Sequence, residues 1–367
     1  MGGLFKRNRE RNENDEFGYE KTLSAASMKL NKNGNGASKQ SLRNYKVLRV
    51  GDVAFEGHTS NSFSFGRFVM NDNEDGIMSP RFASLKPKHK LQVNYWKYYV
   101  HYEPIMKYVL VKATKAGTMM NELVYDDLFK EVINVPSITE QKKIGQFLSS
   151  LATLLSLQQK KLEQIRVLKK AMLQQLFITD KNTLVPNIRF KGFVDAWEQR
   201  KLGEVAEKFD NLRIPVATSK REKGNIPYYG ANGIQDYVKG YTHNGEFVLV
   251  AEDGANDLQN YPVHYINGKV WVNNHAHVLQ GKRYIADNLF LINAIKKIKF
   301  ETYLVGGSRA KLNADIMMKL PIILPTFSEQ QKLGRFFARV DNLIVLHQRK
   351  IHTLSNLKKF CLQKMFI

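Results

Sequence analysis

A chain of 367 residues with 43% hydrophobic content has room for two or three domains with real cores and the make-up of a soluble globular protein. Its net charge of +22 calls for a polyanionic partner, with nucleic acid the first candidate, or for a very unusual solubility strategy. With one cysteine, no apolar signal core, no run of membrane length and Lys6 where a myristoylation signal needs Ser or Thr, neither a disulfide framework, a thiolate zinc cluster nor a membrane anchor is expected, and the compartment is read as reducing and cytoplasmic.

Residues 1–135 are expected to form a first mixed domain. Short β-like runs such as Tyr45 to Val50 and Tyr108 to Val111 alternate there with Gly/Asn/Ser-rich stretches such as Asn31 to Ser41 and Glu56 to Gly66. Residues 136–178 then read as one long helix. Pro136 stands just outside its start, Ser137 and Glu140 fit a capping box, and no proline follows. Apolar residues recur at steps of three and four, at Leu148, Leu151, Leu155, Leu162, Ile165, Met172 and Leu176, which is the pattern of a coiled-coil seam. Residues 179–187, polar and ending at Val185-Pro186, read as a linker. Residues 188–324 are expected to form a second mixed domain, with strands at Phe247 to Ala251, Lys269 to Val272 and Leu289 to Ile292 and a turn at Tyr229 to Gly233. Residues 325–367 are a second long helix, opened by Thr326 and Glu329, with its seam at Phe337, Val340, Ile344, Ile351, Leu354, Cys361 and Met365.

The two helices are copies of each other. Residues 136–178 align without a gap to 325–367 at an offset of 189, with 17 identities in 43 positions, among them Glu140/Glu329, Gln141/Gln330, Gly145/Gly334, Phe147/Phe336 and the closing Phe177/Phe366. A period this long is too large for a solenoid and marks duplication of a domain plus a helix. At about 1.5 Å per residue a helix of roughly 38 residues is about 57 Å long, a spacer on the scale of a domain. The seam carries polar residues at matched places, Gln158/His347 and Lys169/Lys358, which either cost stability while fixing register or lie solvated at the edge of the stripe. The helices hold 15 basic and 4 acidic residues, half the excess charge on less than a quarter of the chain, and the basic excess recurs in both halves.

These residues carry a family resemblance. The run Pro136-Ser137-Ile138-Thr139-Glu140-Gln141-Lys142-Lys143-Ile144-Gly145 and its mate from Pro325, the Leu168-Lys169-Lys170 triplet, the closing Leu173-Gln174-Gln175-Leu176-Phe177, and the domain opener Ile188-Arg189-Phe190-Lys191-Gly192-Phe193 leading to Trp197-Glu198 and Leu202-Gly203 resemble the type I restriction-modification specificity subunits. The resemblance covers nearly the whole chain. It implies an α+β architecture with pseudo-two-fold duplication, in which two mixed target-recognition domains are separated by two long helices packed as an antiparallel coiled coil. It further implies that the two domains read the halves of a bipartite, asymmetric site in double-stranded DNA. The partners it implies are two methyltransferase subunits and the restriction (endonuclease and translocase) subunits, with S-adenosylmethionine, ATP and magnesium used by those partners and no cofactor on this chain. One or two extra helical turns in the region of Leu151 to Gln164 are then expected to lengthen the unread gap. In one respect the chain departs from the pattern. Its first half opens at Met1-Gly2-Gly3-Leu4, which lines up with Leu202-Gly203-Glu204-Val205, so no counterpart of the Arg-Phe-x-Gly-Phe opener stands ahead of it, and a late translation start or a lost upstream piece is expected to leave the first domain less firmly closed.

Two other readings set the contrast. A self-contained methyltransferase or nuclease needs a Gly-x-Gly-x-x-Gly turn, an Asn/Asp-Pro-Pro-aromatic motif or a phosphate loop, and the sequence has none. Asp126, Asp127, Glu140 and Lys142 mimic a nuclease constellation, but Gln331 replaces the lysine in the second copy and capping accounts for the glutamate. His275-Ala276-His277 has the look of a metal pair without a neighbouring carboxylate or thiolate, so no metal site is expected. A non-specific DNA-bridging protein fits poorly with two dissimilar, aromatic-rich middle domains.

Base reading in the major groove needs Arg or Lys for guanine, Asn or Gln for adenine and aromatic or methyl contacts for thymine, on loops that reach the groove. The candidates in the first domain are Lys29, Asn31, Lys32, Asn35, Lys39, Arg43, His58, Asn61, Arg67 and Arg81. In the second they are Tyr228, Tyr229, Asn232, Gln235, Asn256, Asn273, Asn274, His275, Arg309 and Lys311.

Overall fold

The computed structural model describes residues 1–31, 33, 34, 36–178, 183–306 and 310–366. In chain order its elements begin with β1 (Phe5–Arg7), α1 (Lys39–Leu42), β2 (Lys46–Leu48), β3 (Val53–Glu56), β4 (Arg67–Met70), β5 (Gly76–Met78) and β6 (Ala83–Pro87). There follow α2 (Val93–Tyr99), α3 (Glu103–Ala113), β7 (Thr114–Lys115), β8 (Glu122–Leu123), α4 (Tyr125–Lys130) and the long α5 (Ile138–Leu176). The second half holds β9 (Glu198–Lys201), α6 (Leu202–Val205), β10 (Ala206–Lys208), β11 (Lys223–Gly230), β12 (Gly233–Val238), β13 (His243–Ala251), β14 (Val263–Val272) and β15 (Ala276–Gly281). It closes with α7 (Asn288–Lys296), α8 (Ala314–Met318), β16 (Pro321–Leu324) and α9 (Phe327–Met365). No helix among the described residues is long and apolar enough to cross a membrane.

The chain divides into two units, Met1–Gln159 with Arg349–Ile367, and Lys160–Gln348. The division falls inside both long helices, each of which contributes its first turns to one core and its last turns to another. In the first unit an antiparallel sheet of order β1-β6-β3-β4 has α2 and α3 packed on it, with β2 and β5 as a separate ribbon. Val53, Phe55, Phe68, Met70 and Leu85 turn inward from this sheet and meet Trp96, Met106 and Leu110. Leu148 of α5 and Cys361 and Phe366 of α9 belong to the same core. Phe366 sits edge-on to Tyr95 and Tyr99, with ring centroids 5.5 and 5.6 Å away.

In the second unit the sheet order is β10-β15-β13-β14-β11-β12, antiparallel except where β11 meets β14. Here Phe177, the repeat counterpart of Phe366, stacks on Phe290 at 5.3 Å and lies beside Trp197 and Phe337. Burying such a ring stabilises each core by roughly 3–5 kcal/mol relative to alanine.

Within each unit the helices run antiparallel. In the first, the opening turns of α5 (Ile144, Leu148) share a core with the closing turns of α9 (Cys361, Met365). In the second, the closing turns of α5 (Met172, Leu176) share one with the opening turns of α9 (Leu333, Phe337). Burial repeats at steps of three and four along both helices, and every seam position is buried or half-buried, the polar ones included. The seam lysines find partners: Lys169 pairs with Asp341 at 2.5 Å, and Lys358 lies over the Tyr98 ring at 5.3 Å. They are therefore register elements, not a solvated edge.

Two expected strands are helices. Tyr108 to Val111 lies in α3, where Met106, Val109, Leu110 and Ala113 are buried while Tyr108 and Val111 face solvent, a period of 3.6 that a four-residue window hides. Leu289 to Ile292 lies in α7, whose first turn is set by the Asp287 side chain accepting from Phe290 N at 3.0 Å. The lone thiol, Cys361, is free and buried in the seam.

Lys46, on β2, is buried and donates to the Phe82 carbonyl. Burial, with Arg11 and Arg7 nearby, pulls its pKa down to about 8. The folded state thus binds fewer protons than the unfolded state between about pH 8 and the ordinary lysine value of 10.5. The cost of burying the charge is complete below pH 8 and fades as pH rises through that window. The stability of Lys46→Met relative to the parent is accordingly expected to decline from pH 8 to pH 10.5 in urea-unfolding curves. A pH-independent difference would remove Lys46 as the responsible group.

Candidate nucleic-acid interface

In the first unit β3 delivers Glu56 into the base of a groove. This buried carboxylate accepts from His58, through both its ring Nδ1 and its backbone N, and lies 3.1 Å from Arg67 Nε. The groove, about 570 Å³, is also lined by Asn31, Arg81 and Phe82. The Arg81 guanidinium lies over the Phe82 ring at 5.1 Å, and that of Arg67 over Phe63 at the same distance. The fold therefore gathers Asn31, His58 and Arg81 round one acceptor, with Arg67 held behind it. A carboxylate at the floor repels phosphate but accepts from an exposed cytosine amine, while the arginine and asparagine suit guanine and adenine edges.

Lys29, Lys39 and Asn61 are exposed but do not line this groove. Arg43 is exposed with its fork closed on Asp15, at 3.0 and 2.7 Å, and holds that carboxyl below its ordinary value. It is thereby a poor base reader, since the two donors needed for guanine are already engaged. Lys32 and Asn35 lie outside the described residues.

In the second unit three loops meet at one end of the sheet. Asn232, in the two-residue turn between Gly230 and Gly233, donates to Gly254 O at 2.9 Å and accepts from Asn256 N at 3.0 Å, tying the β11–β12 turn to the loop after β13. Gly233 has φ +107°, a conformation that a side chain resists, which is why this turn closes so tightly. The turn between β14 and β15 joins them through Asn273 N to Tyr229 O at 3.1 Å and Glu252 N to His275 O at 2.9 Å. Gln235, Asn256, Asn274 and Lys311 stay exposed at this end, and half-buried His275 is paired with Asp253. Tyr229 is half-buried beside His264.

Two candidates are corrected. Tyr228 is 1% exposed, its hydroxyl held between Val216 N and O and its ring under Arg221 at 4.0 Å. Strand alternation sends Tyr228 inward and its neighbour Tyr229 outward, so Tyr228 supports the surface and does not touch a base. Asn273 is 3% exposed, its Oδ1 accepting from His275 N at 2.8 Å, and likewise shapes the turn. Arg309 lies outside the described residues.

Beneath these loops lies a cluster that spacing in the sequence does not reveal. His277 Nδ1 meets Asp210 Oδ2 at 2.7 Å, and its Nε2 meets the Leu312 carbonyl at 2.8 Å. Arg213 bridges Glu252 and Asp210, and Lys311 reaches Glu252 at 2.8 Å. Burial pushes the carboxyls of Asp210 and Glu252 up, but the bonds from His277 to the first and from Lys311 and Arg213 to the second outweigh it and hold both below the ordinary range. The carboxylates missing beside His277 in the sequence are thus supplied by the fold, and Asp210, Glu252 and His277 are close enough together to ligate a cation. Arg213 and Lys311 already supply two positive charges there, so the cluster is satisfied as a brace for the loops.

The long helices present a second surface. Of their 15 basic residues only Lys169 and Lys358 are even half-buried. Among these charges, three leucine pairs at the repeat offset stay exposed on both helices: Leu154/Leu343, Leu157/Leu346 and Leu168/Leu357. The same apolar pattern is therefore offered twice.

A family profile described as "Type I restriction modification DNA specificity domain" matches residues 9–167 and again 195–356. A type I restriction enzyme specificity subunit of Haemophilus influenzae is 48% identical over 136 residues, which is 37% of this chain and 35% of that protein. The match to this relative thus spans about a third of its length. The MjaX specificity subunit of Methanocaldococcus jannaschii is 22% identical over 94% of this chain and 85% of its own length. Among solved structures, the S subunit of a type I restriction-modification system from M. genitalium has the same fold, with a TM-score of 0.68 at 16% identity over 100% of this chain and 94% of that one.

Proposed function

The chain belongs to the type I restriction modification DNA specificity family, and on that footing we propose that it is the DNA-reading subunit of a type I restriction-modification complex. Residues 1–135 and 188–324 are its two target-recognition domains, each reading one half of a bipartite site. The observation that carries this is a duplicated helical frame bearing two unlike readers, a four-stranded sheet with a groove in one half and a six-stranded sheet with a loop cluster in the other. Identical readers would favour a symmetric site. Unlike readers favour an asymmetric one.

The twice-presented leucines support two copies of one partner, the methyltransferase subunit, with restriction subunits joining the same complex. Apolar side chains exposed among lysines suit a protein partner better than phosphate. Catalysis then belongs to those partners, which supply S-adenosylmethionine, ATP and magnesium, while this chain acts in the cytoplasm as reader and scaffold.

The test is co-expression with a cognate methyltransferase subunit in an unmethylated host, followed by genome-wide mapping of methyladenine. A bipartite, asymmetric methylated motif is expected. A co-purifying complex that methylates a continuous or palindromic sequence would refute the reading. In the same assay, alanine at Arg81 or Gln235 is expected to relax one base position by about 1–3 kcal/mol, whereas alanine at a phosphate contact weakens all sites alike. Uniform losses from both variants would remove them as readers.

A further inference from the structure

The sheet of the first unit recurs inside the larger sheet of the second. The order β1-β6-β3-β4 is matched by β10-β15-β13-β14, and the registers agree: Leu85 stands between Arg7 and Val53 as Leu279 stands between Lys208 and Val248. His58 and Arg81 in one unit, and Asn274 and His275 in the other, lie at the same end of this shared core, where β3 and β13 finish and β6 and β15 start. At that end each unit holds one histidine against one carboxylate. In the first, β3 ends on Glu56, and His58 two residues later sets its ring Nδ1 on that carboxylate. In the second, Asp253 follows β13 by two residues and takes Nδ1 of His275, which directly precedes β15. The pairs are assembled from different parts of the strand framework, so duplication does not account for them.

Both rings are held in the same way. An ionised carboxylate only accepts, so Nδ1 carries the proton. The backbone is pinned as well, with His58 N donating to Glu56 Oε1 at 3.1 Å and His275 N to Asn273 Oδ1 at 2.8 Å. Each carboxylate also faces a cation: Arg67 Nε stands 3.1 Å from Glu56, and Lys311 feels the charge of Asp253, so neither ring need be charged to be held. An uncharged ring that donates from Nδ1 has a bare lone pair at Nε2. On His58 and His275 that atom has no partner among the described residues, and the side chains are 54% and 35% exposed, open enough to be touched. The buried histidines of the second unit differ. His243 engages Thr242 and the Phe209 carbonyl, and His277 engages Asp210 and the Leu312 carbonyl, so both nitrogens are spent.

On the reading of the chain as a DNA-specificity subunit, we propose that Glu56 and Asp253 are positioning residues that set base choice. Each holds its histidine with the Nε2 lone pair outward, and that lone pair accepts the amine of an adenine or a cytosine in the major groove of one half-site. Every base pair carries one such amine there, and across from it a carbonyl oxygen on thymine or guanine. The lone pair therefore tells on which strand the amine lies, since an oxygen in the same place repels it.

Glu56→Gln and Asp253→Asn test this. An amide can donate to Nδ1 as well as accept from it, which frees the ring to take either tautomer. In the complex with the methyltransferase subunit, with methyladenine mapped across the genome, each variant is expected to keep the bipartite motif and to lose discrimination by about tenfold or more at one position, where the amine is now tolerated on either strand. The two variants act in different halves of the site. His58→Ala and His275→Ala should relax the same positions as their carboxylate partners, and they decide the matter if a melting curve shows an amide variant to be unfolded. A merely structural role would lower methylation at every site alike. Such uniform loss, an unchanged motif, relaxation confined to an exchange of adenine for cytosine, which leaves the amine in place, or histidine and carboxylate variants acting at different positions each overturns the proposal while leaving the subunit reading intact. A parent complex that methylates a continuous or palindromic sequence overturns both.

Discussion

One heptad inserted in α5 between Leu155 and Leu162, matched by one in α9 between Ile344 and Ile351, is expected to abolish methylation of the parental site and move it to a site whose unread gap is about three base pairs longer. Seven helical residues add about 10.5 Å. DNA rises about 3.4 Å per base pair, so three pairs match the insert closely. Both helices must be extended because they are antiparallel: an insert in one alone slides Leu162, Ile165 and Met172 off their partners and carries the Lys169–Asp341 pair apart. A whole heptad is needed because any other length turns the apolar stripe away from its seam. The heptad itself rotates the helix by only about 20° against a strict repeat, whereas three base pairs turn the second half-site by roughly 105°. The new site is therefore methylated more weakly than the old, since the DNA must twist to present both halves. Methyladenine mapping that returns the parental gap from the doubly extended chain would dispose of the ruler.

The frame was legible because coiled-coil physics writes itself locally. Steps of three and four, a proline and a cap at the start and a 189-residue echo fix the helices without tertiary information. Even there the glutamates misled: Glu140 N does bond Ser137 Oγ at 3.3 Å as a cap predicts, but the Glu329 carboxylate is taken by Arg189, 140 residues away. Short apolar runs carried less. The β-branched apolar runs inside β13 and β14 were read as strands and are strands, whereas Tyr108 to Val111 and Leu289 to Ile292, equally short runs, lie in helices that a window of four residues cannot tell from a strand. The candidate interface was legible by residue type and not by depth. Tyr228 and Asn273 looked like readers because a loop-rich sequence does not say which side of a strand or turn faces solvent. The cluster of Asp210, Arg213, Glu252 and His277 was invisible for another reason: Arg213 is 39 residues from Glu252 and Asp210 is 67 from His277, and only the packed sheet brings the neighbouring Asp210 and Arg213 to the other two.

Gly145 and Gly334 decide how closely the frame approaches each sheet-packed helix, and alanine at either is expected to destabilise the chain although helix propensity predicts the opposite. Both lie inside long helices, where Gly→Ala ordinarily gains about 0.8–1 kcal/mol. A Cβ at 145 would stand 2.7 Å from Tyr95 N and 2.8 Å from Asn94 C, and one at 334 would stand 2.6 Å from Asp287 Oδ1 and 2.9 Å from Phe290 N. These are the first turns of α2 and α7, and at 334 the obstructed oxygen is the one that caps α7. Relief requires backbone movement, which costs about 1–3 kcal/mol for a methyl group and more for a larger one. The clash outweighs the propensity, and the surrounding bonds add to it: moving α2 strains Trp96 Nε1 to Gln141 Oε1 at 3.1 Å, and moving α7 strains Asp287 N to Gln330 Oε1 at 3.0 Å. Gly145→Ala and Gly334→Ala should each lose about 1–2 kcal/mol in urea unfolding, and the valine variants about 3 kcal/mol or more. If either alanine variant unfolds at higher urea than the parent, the close approach is not what holds glycine at these positions.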